Sequence, residues 1–197
     1  MVHYPNGKAD IPGFTPANKR PNKKYTAHRG MNLEEDINIS NKYYLDHDKA
    51  VIHKKPTPVQ IVKVDYPKRS AAKIVEAYYR TPSTTDYNGL YKGKYIDFEA
   101  KETKVMQFPF KNISDHQIKH LDKCVRHGGI AFVIIAFTSI NEAWLVDAAY
   151  MVDMYRHHDK RFLSYDEIKD NGHLIPQGYA PRLKYLDVID DVYLREE

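Results

Sequence analysis

The sequence predicts an α/β fold, with a mixed central sheet flanked by helices. Three observations predict it. Ile130–Phe137 is an unbroken apolar, β-branched run, the pattern of a central strand buried on both faces. Lys94–Lys101 alternates strictly, with Asp97, Glu99 and Lys101 on one face and Ile96, Phe98 and Ala100 on the other. Segments of helical period lie before, between and after these strands, an order that places helices on a sheet.

The elements follow in order. Residues 1–28 contain Pro5, Pro12, Pro16 and Pro21 and no apolar periodicity, so they read as a flexible basic arm. A helix is expected over 32–47. Asn32 is its N-cap, Glu35 the reciprocal partner, and Leu33, Ile37 and Tyr44 its apolar stripe. Glu34, Glu35 and Asp36 suit the positive end of its dipole. Strands are expected at 50–53 and at Val59–Asp65, the latter bounded by Pro56, Pro58 and Pro67. Ser70 then caps an expected helix over 71–79, with Ala72, Val75 and Tyr79 in phase. Asp86-Tyr-Asn-Gly89 reads as a turn, followed by a short strand, a Lys92-Gly93 turn and the alternating strand. Ser114 opens a helix that Gly128-Gly129 stops. Glu142–Asp147 pairs with the apolar strand, helices follow at 148–158 and 165–170, and the remainder reads as an irregular tail.

Composition narrows the function. At 197 residues the chain is long enough for one real core. No apolar run is long enough for a bilayer, and the N-terminus has no apolar signal core, so the expectation is a soluble, cytoplasmic protein. Cys124 is the single cysteine, which excludes an internal disulfide and a cysteine-based zinc site. His116 and His120 have a legitimate metal spacing but no evident third ligand. No phosphate-binding Gly-Lys-Ser/Thr loop is present. The net charge is only +4, yet residues 1–30 hold six basic residues against one acidic, and residues 54–80 seven against two. An acidic body with two basic segments suits a polyanion, although basic tails can also be simply solvated.

The charged row on Lys94–Lys101 has two readings. It fits the solvent face of an amphipathic strand. It also fits a metal site, because Asp86 stands 13 residues before Glu99, completing Asp86…Glu99-Ala-Lys101. Two carboxylates supply hard oxygen ligands for Mg²⁺ or Mn²⁺. A neighbouring lysine can stabilise charge on an attacked phosphate.

The motifs surrounding this pattern resemble those of the RecU-type Holliday junction resolvases. They are His28-Arg-Gly-Met-Asn-Leu-Glu-Glu35, Lys54-Lys-Pro-Thr-Pro-Val-Gln60, Tyr66-Pro-Lys-Arg-Ser70, Ser83-Thr-Thr-Asp-Tyr-Asn-Gly89, Tyr95-Ile-Asp-Phe-Glu-Ala-Lys-Glu-Thr103 and Asp115-His-Gln-Ile118. The resemblance implies a restriction-endonuclease-like fold, with a nuclease domain over 29–197 and a projecting basic stalk at about 54–80. It also implies a homodimer, Mg²⁺ dependence with Mn²⁺ able to substitute, and paired nicks in four-way DNA junctions during recombination and repair. Recombinase and branch-migration proteins are possible partners.

Carried over by position, Thr84, Asp86, Glu99 and Gln117 are the implied metal-site residues, and Lys101 is the implied transition-state lysine. Read without the resemblance, Gln117 is a helix-surface glutamine, and Thr84 is a turn hydroxyl bonding backbone. Glu34 or Glu35 is a candidate additional acid, or simply a first-turn dipole partner. Lys68 and Arg69, then Lys54 and Lys55, are the expected junction contacts, and Arg29 an expected phosphate contact. The rival functions are a related nuclease for another branched or duplex substrate, and a non-catalytic DNA-annealing accessory module.

Overall fold

A computed structural model describes residues 32–80, 84–157 and 159–195. The expected N-terminal arm and Arg29 lie outside the described residues. In chain order the elements are α1 (Leu33–Asp46), β1 (Val51–Lys54), β2 (Val59–Asp65), β3 (Lys73–Tyr79), β4 (Tyr87–Tyr91), β5 (Lys94–Thr103), β6 (Gln107–Pro109), α2 (Asp115–Arg126), β7 (Ile130–Phe137), β8 (Glu142–Asp147), α3 (Ala148–His157), β9 (Phe162–Ser164), α4 (Tyr165–Asn171), β10 (Gly172–Leu174) and α5 (Tyr185–Tyr193).

Six strands form one mixed sheet in the order β1-β4-β5-β7-β8-β10. β5 and β7 are parallel, joined through α2, and the other neighbours are antiparallel. The alternation of β7 divides the core into two layers. Phe132, Ile134 and Ala136 meet Leu33, Ile37 and Tyr44 of α1 and Tyr185 and Leu186 of α5. Ala131, Val133 and Ile135 meet Ile118 and Leu121 of α2 and Met151 of α3. Tyr87, Phe98 and Phe132 stack across β4, β5 and β7 with ring centroids 4.8 Å apart at each step, locking three strands in register. Among the described residues no helix is long and apolar enough to cross a membrane.

Three sequence expectations are corrected. Residues 71–79 are not a helix: Lys73–Tyr79 is a strand that pairs with β2 in a separate two-stranded hairpin. Its residues are all exposed, so the apparent helical stripe of Ala72, Val75 and Tyr79 has no core to face. With Ile74, Val75, Tyr78 and Tyr79, strand propensity decides instead. Asp86–Gly89 is not a turn but the entry to β4, paired with β1. Gly89 serves close approach there, since a Cβ would stand 2.0 Å from the Val51 carbonyl oxygen. The C-terminal tail is not irregular. It forms β10 and α5, and α5 buries Tyr185, Leu186, Val188 and Ile189. Leu183 ties this end to α1: its N–H donates to Ser40 Oγ at 2.8 Å, and its carbonyl accepts from Tyr44 Oη at 2.9 Å.

Candidate active site

β5 carries the site. Its Phe98 face belongs to the α1/α5 layer, so Asp97, Glu99 and Lys101 point toward the α2 layer. β4 pairs with β5 through Tyr87 opposite Phe98. Asp86 lies one residue before this pairing, close enough to Glu99 for its charge to raise that carboxyl. The Asp86 carbonyl accepts the Lys55 N–H at 2.7 Å, which anchors it beside the end of β1.

Glu99 is completely buried, yet among the described residues neither carboxylate oxygen accepts a well-aligned hydrogen bond. Lys101 Nζ lies 2.7 Å from Glu99 Oε1 as an ion pair. Burial pushes the Glu99 carboxyl up to about 7; Lys101 pulls it down, and the adjacent Asp86 charge pushes it further up. Two acidic groups thus adjoin, with the single Lys101 ammonium as counter-charge to Glu99. A buried carboxylate in this condition is costly unless a cation completes it. Asp86 and Glu99 therefore fit a hard divalent ion by donor type and by their unmet demand.

The neighbouring Asp97 contrasts with Glu99. It is also fully buried, but its Oδ2 accepts from Lys55 Nζ and from Tyr95 Oη at 2.8 Å each. Thr85 Oγ1 donates to its Oδ1, and His120 Nε2 lies 3.2 Å from Oδ2. Burial alone would raise the Asp97 carboxyl, but the donors from Lys55, Thr85 and Tyr95 outweigh it and hold it below its ordinary value. Asp97, His120 and Cys124 come close enough to suggest a second metal centre. The donor set does not fit one. The Lys55 ammonium already occupies the carboxylate, together with the Tyr95 and Thr85 hydroxyls.

The other expected site residues separate into groups. Gln117 is buried at the third position of α2, where its Oε1 accepts from the Ser114 N–H and Oγ at 2.9 Å each. Its oxygen caps the helix. It is nevertheless on the site side of α2. The helix returns from β5 to the parallel β7, so it runs against β5. Glu99 and Gln117 are then displaced the same way from the Asp97–His120 contact, by roughly 7 Å along the strand and 4.5 Å along the helix. Thr84 is half-buried, and its hydroxyl donates to the Thr85 carbonyl at a long 3.4 Å.

Glu34 forms an exposed ion pair with Lys54 at 2.6 Å. It also raises the Tyr87 phenol, after the larger effect of burial, as do Asp86 and Glu99. Glu35 is exposed, and its N–H takes the Asn32 cap at 3.2 Å. Lys55 departs most from expectation. Its side chain is only 18% exposed and points inward to Asp97 and Thr85, so it is placed as an internal counter-ion rather than a surface DNA contact. Lys68 is exposed next to the three-residue 3₁₀ turn Arg69–Ala71 at the hairpin tip. Sequence reasoning put Asp97 on the catalytic face but missed its partners. The alternation of Tyr95 with Asp97 on one strand face was the available signal.

Carboxylates and a lysine at the end of a central strand of a mixed sheet fit the class of nucleases with an Asp…Glu-x-Lys site. Within that class the chain belongs to the RecU family: the family model described as Recombination protein U matches residues 28–191. The chain is 53% identical over 196 residues to the Holliday junction resolvase RecU of Geobacillus kaustophilus, covering 98% of each chain. It is 50% identical over 196 residues to the protein of that name from Bacillus cytotoxicus, again covering 98% of each. Among solved structures, Hjc of Archaeoglobus fulgidus, a Holliday junction resolvase, is similar with a TM-score of 0.43 and 13% identity, covering 72% of this chain and 93% of that one.

Proposed function

We infer that this chain is a Holliday junction resolvase, a divalent-metal-dependent endonuclease that makes paired nicks in four-way DNA junctions. The observation that carries the metal reading is the Glu99 carboxylate, wholly buried, without a well-aligned donor and facing Asp86. Asp86 and Glu99 would hold Mg²⁺; Thr84 is a further candidate, and Gln117 becomes one only if its oxygen leaves the Ser114 cap. When bound, that ion supplies charge neutralisation at the attacked phosphate and a more acidic water. Lys101, partly exposed and tethered to Glu99, presents an ammonium to the developing charge on the phosphate. Glu34 of α1 is the candidate additional acid. A homodimer with two-fold symmetry would present two such sites to a junction that has its own approximate dyad.

The β2–β3 hairpin supplies the selectivity. Bulges between Ile61 and Val64 twist it, and both strands are exposed throughout. Lys63, Lys68 and Lys73 provide phosphate contacts, while exposed Tyr66, Tyr78 and Tyr79 offer stacking faces for unpaired bases. Lys68→Glu is expected to weaken junction binding about threefold to tenfold at moderate salt and to flatten its salt dependence. Fluorescence anisotropy on a labelled junction measures this, and unchanged affinity would remove the hairpin from recognition.

The function itself is tested on a gel with a labelled mobile four-way junction. Paired nicks with Mg²⁺, none with EDTA, and little cutting of linear duplex are expected. Equal cutting of duplex would favour a less selective nuclease. Strand annealing with no metal-dependent nicking would make the accessory-module reading primary.

A further inference from the structure

The geometry points to Thr85 and Asp97 as positioning residues that hold the Asp86 carboxylate in place for the divalent ion. This rests on the reading of Asp86 and Glu99 as the groups that hold the ion.

Among the described residues Asp97 is a buried charged group with several donors, and the proposed chemistry does not use it. Three donors and the His120 ring nitrogen surround its two oxygens. Three of these contacts reach Oδ2 and Thr85 alone donates to Oδ1, so protein donors already hold Asp97, in contrast to Glu99. What it binds is informative instead, because two of its donors lead directly to Asp86.

The first is Thr85, the residue immediately before Asp86. Its side chain is buried, and its hydroxyl is shared between Asp97, to which it donates, and Lys55 Nζ, from which it accepts at 2.8 Å. The second is Lys55. Its ammonium reaches Asp97 at 2.8 Å while its own backbone N–H donates to the Asp86 carbonyl at 2.7 Å. The preceding side chain and the hydrogen-bonded neighbour of Asp86 are thus both fastened to one carboxylate on β5. That carboxylate lies two residues from Glu99 on the same strand face.

This matters because Asp86 itself lies before the first residue of β4, in a bend without strand pairing. Its backbone tie there is the Lys55 N–H, which leaves the side chain to be oriented by other contacts. Asp97, on the same rigid strand as Glu99, fixes both halves of the ion pocket relative to one another. A group that orients a metal-holding carboxylate in this way typically changes metal affinity about 10- to 100-fold when removed.

A merely structural network would make the same contacts, so the test follows the hydroxyl rather than stability. Thr85→Ser keeps the oxygen and loses the methyl, Thr85→Val keeps the methyl and loses the oxygen, and Thr85→Ala loses both. Each full-length variant is titrated with Mn²⁺ by calorimetry, melted in EDTA, and assayed for junction binding in EDTA and for cleavage against Mg²⁺. Thr85→Val and Thr85→Ala are expected to weaken Mn²⁺ binding about 10- to 100-fold and to raise the half-saturating Mg²⁺ equally, with Thr85→Ser within about threefold of native. Junction affinity in EDTA is expected to be unchanged. Native Mn²⁺ affinity in Thr85→Val, or affinities that follow melting temperature rather than the hydroxyl, would overturn the inference. Asp86→Asn is the control. If it also binds Mn²⁺ as native does, the underlying metal reading has failed. If it alone loses the ion, only the role of Thr85 and Asp97 has failed.

Discussion

Glu99→Gln is expected to reduce junction cutting by about 10³-fold or more while junction binding in EDTA survives. The same change is expected to make the metal-free protein melt higher at pH 8. The two effects have one origin. Glu99 is fully buried, no well-aligned donor satisfies it, and burial raises its carboxyl to about 7. Its folded-state value lies above the unfolded one, so the folded protein binds the proton more tightly. Stability is therefore favoured at low pH and lost as pH rises from the unfolded value through about 7. At pH 8 the charge is present, and the Lys101 ammonium offsets only part of the cost of burying it. A glutamine of the same shape removes that charge, for a gain of roughly 1–3 kcal/mol, or several degrees in a chain of this size. Mg²⁺ should raise the melting temperature of the native protein but not of Glu99→Gln, because only the native carboxylate pair gains from the ion. A calorimetric scan with and without Mg²⁺, run beside the gel assay, checks both. Retained cleavage, or a lower metal-free melting temperature, contradicts the assignment.

Lys101→Met is expected to lower the cleavage rate at saturating Mg²⁺ by about 10²- to 10³-fold and to leave Mn²⁺ binding intact. Methionine keeps an unbranched apolar chain against β5 and removes only the ammonium. That ammonium lies 2.7 Å from Glu99 Oε1 and is partly open to solvent, where a phosphate could replace the carboxylate as its partner. If Lys101 were only a counter-ion for Glu99, its loss would change the half-saturating Mg²⁺ concentration and spare the rate. Single-turnover cleavage over a Mg²⁺ series separates the two roles.

The central strands were legible because their patterns report burial directly. The apolar run of Ile130–Phe137 is buried along its whole length, and the alternation in Lys94–Lys101 placed Asp97, Glu99 and Lys101 on one face. The Asp86…Glu99-Ala-Lys101 spacing was visible, and Asp86, one residue before the β4–β5 pairing, is close enough to Glu99 to raise its carboxyl. Other features depend on partners distant in sequence. Asn88-Gly89 looked like a turn because glycine permits one, whereas Gly89 is there for the close approach of β1. Residues 73–79 carry phases that suit helix and strand alike, and only the pairing with β2 decides between them. In Tyr185–Tyr193 the apolar spacing of Tyr185, Leu186 and Ile189 was a usable helical signal that went unread behind two prolines. Lys55 looked like a surface cation from its basic neighbourhood, and only Asp97, 42 residues later, turns it inward.

In the proposed site Asp86 and Glu99 close around one divalent ion. The most direct measurement is an anomalous difference map from crystals of the protein grown or soaked with Mn²⁺. A single peak is expected between the carboxylates of residues 86 and 99, adjacent to the Lys101 ammonium. No peak there, or one among Asp97, His120 and Cys124 instead, would contradict it.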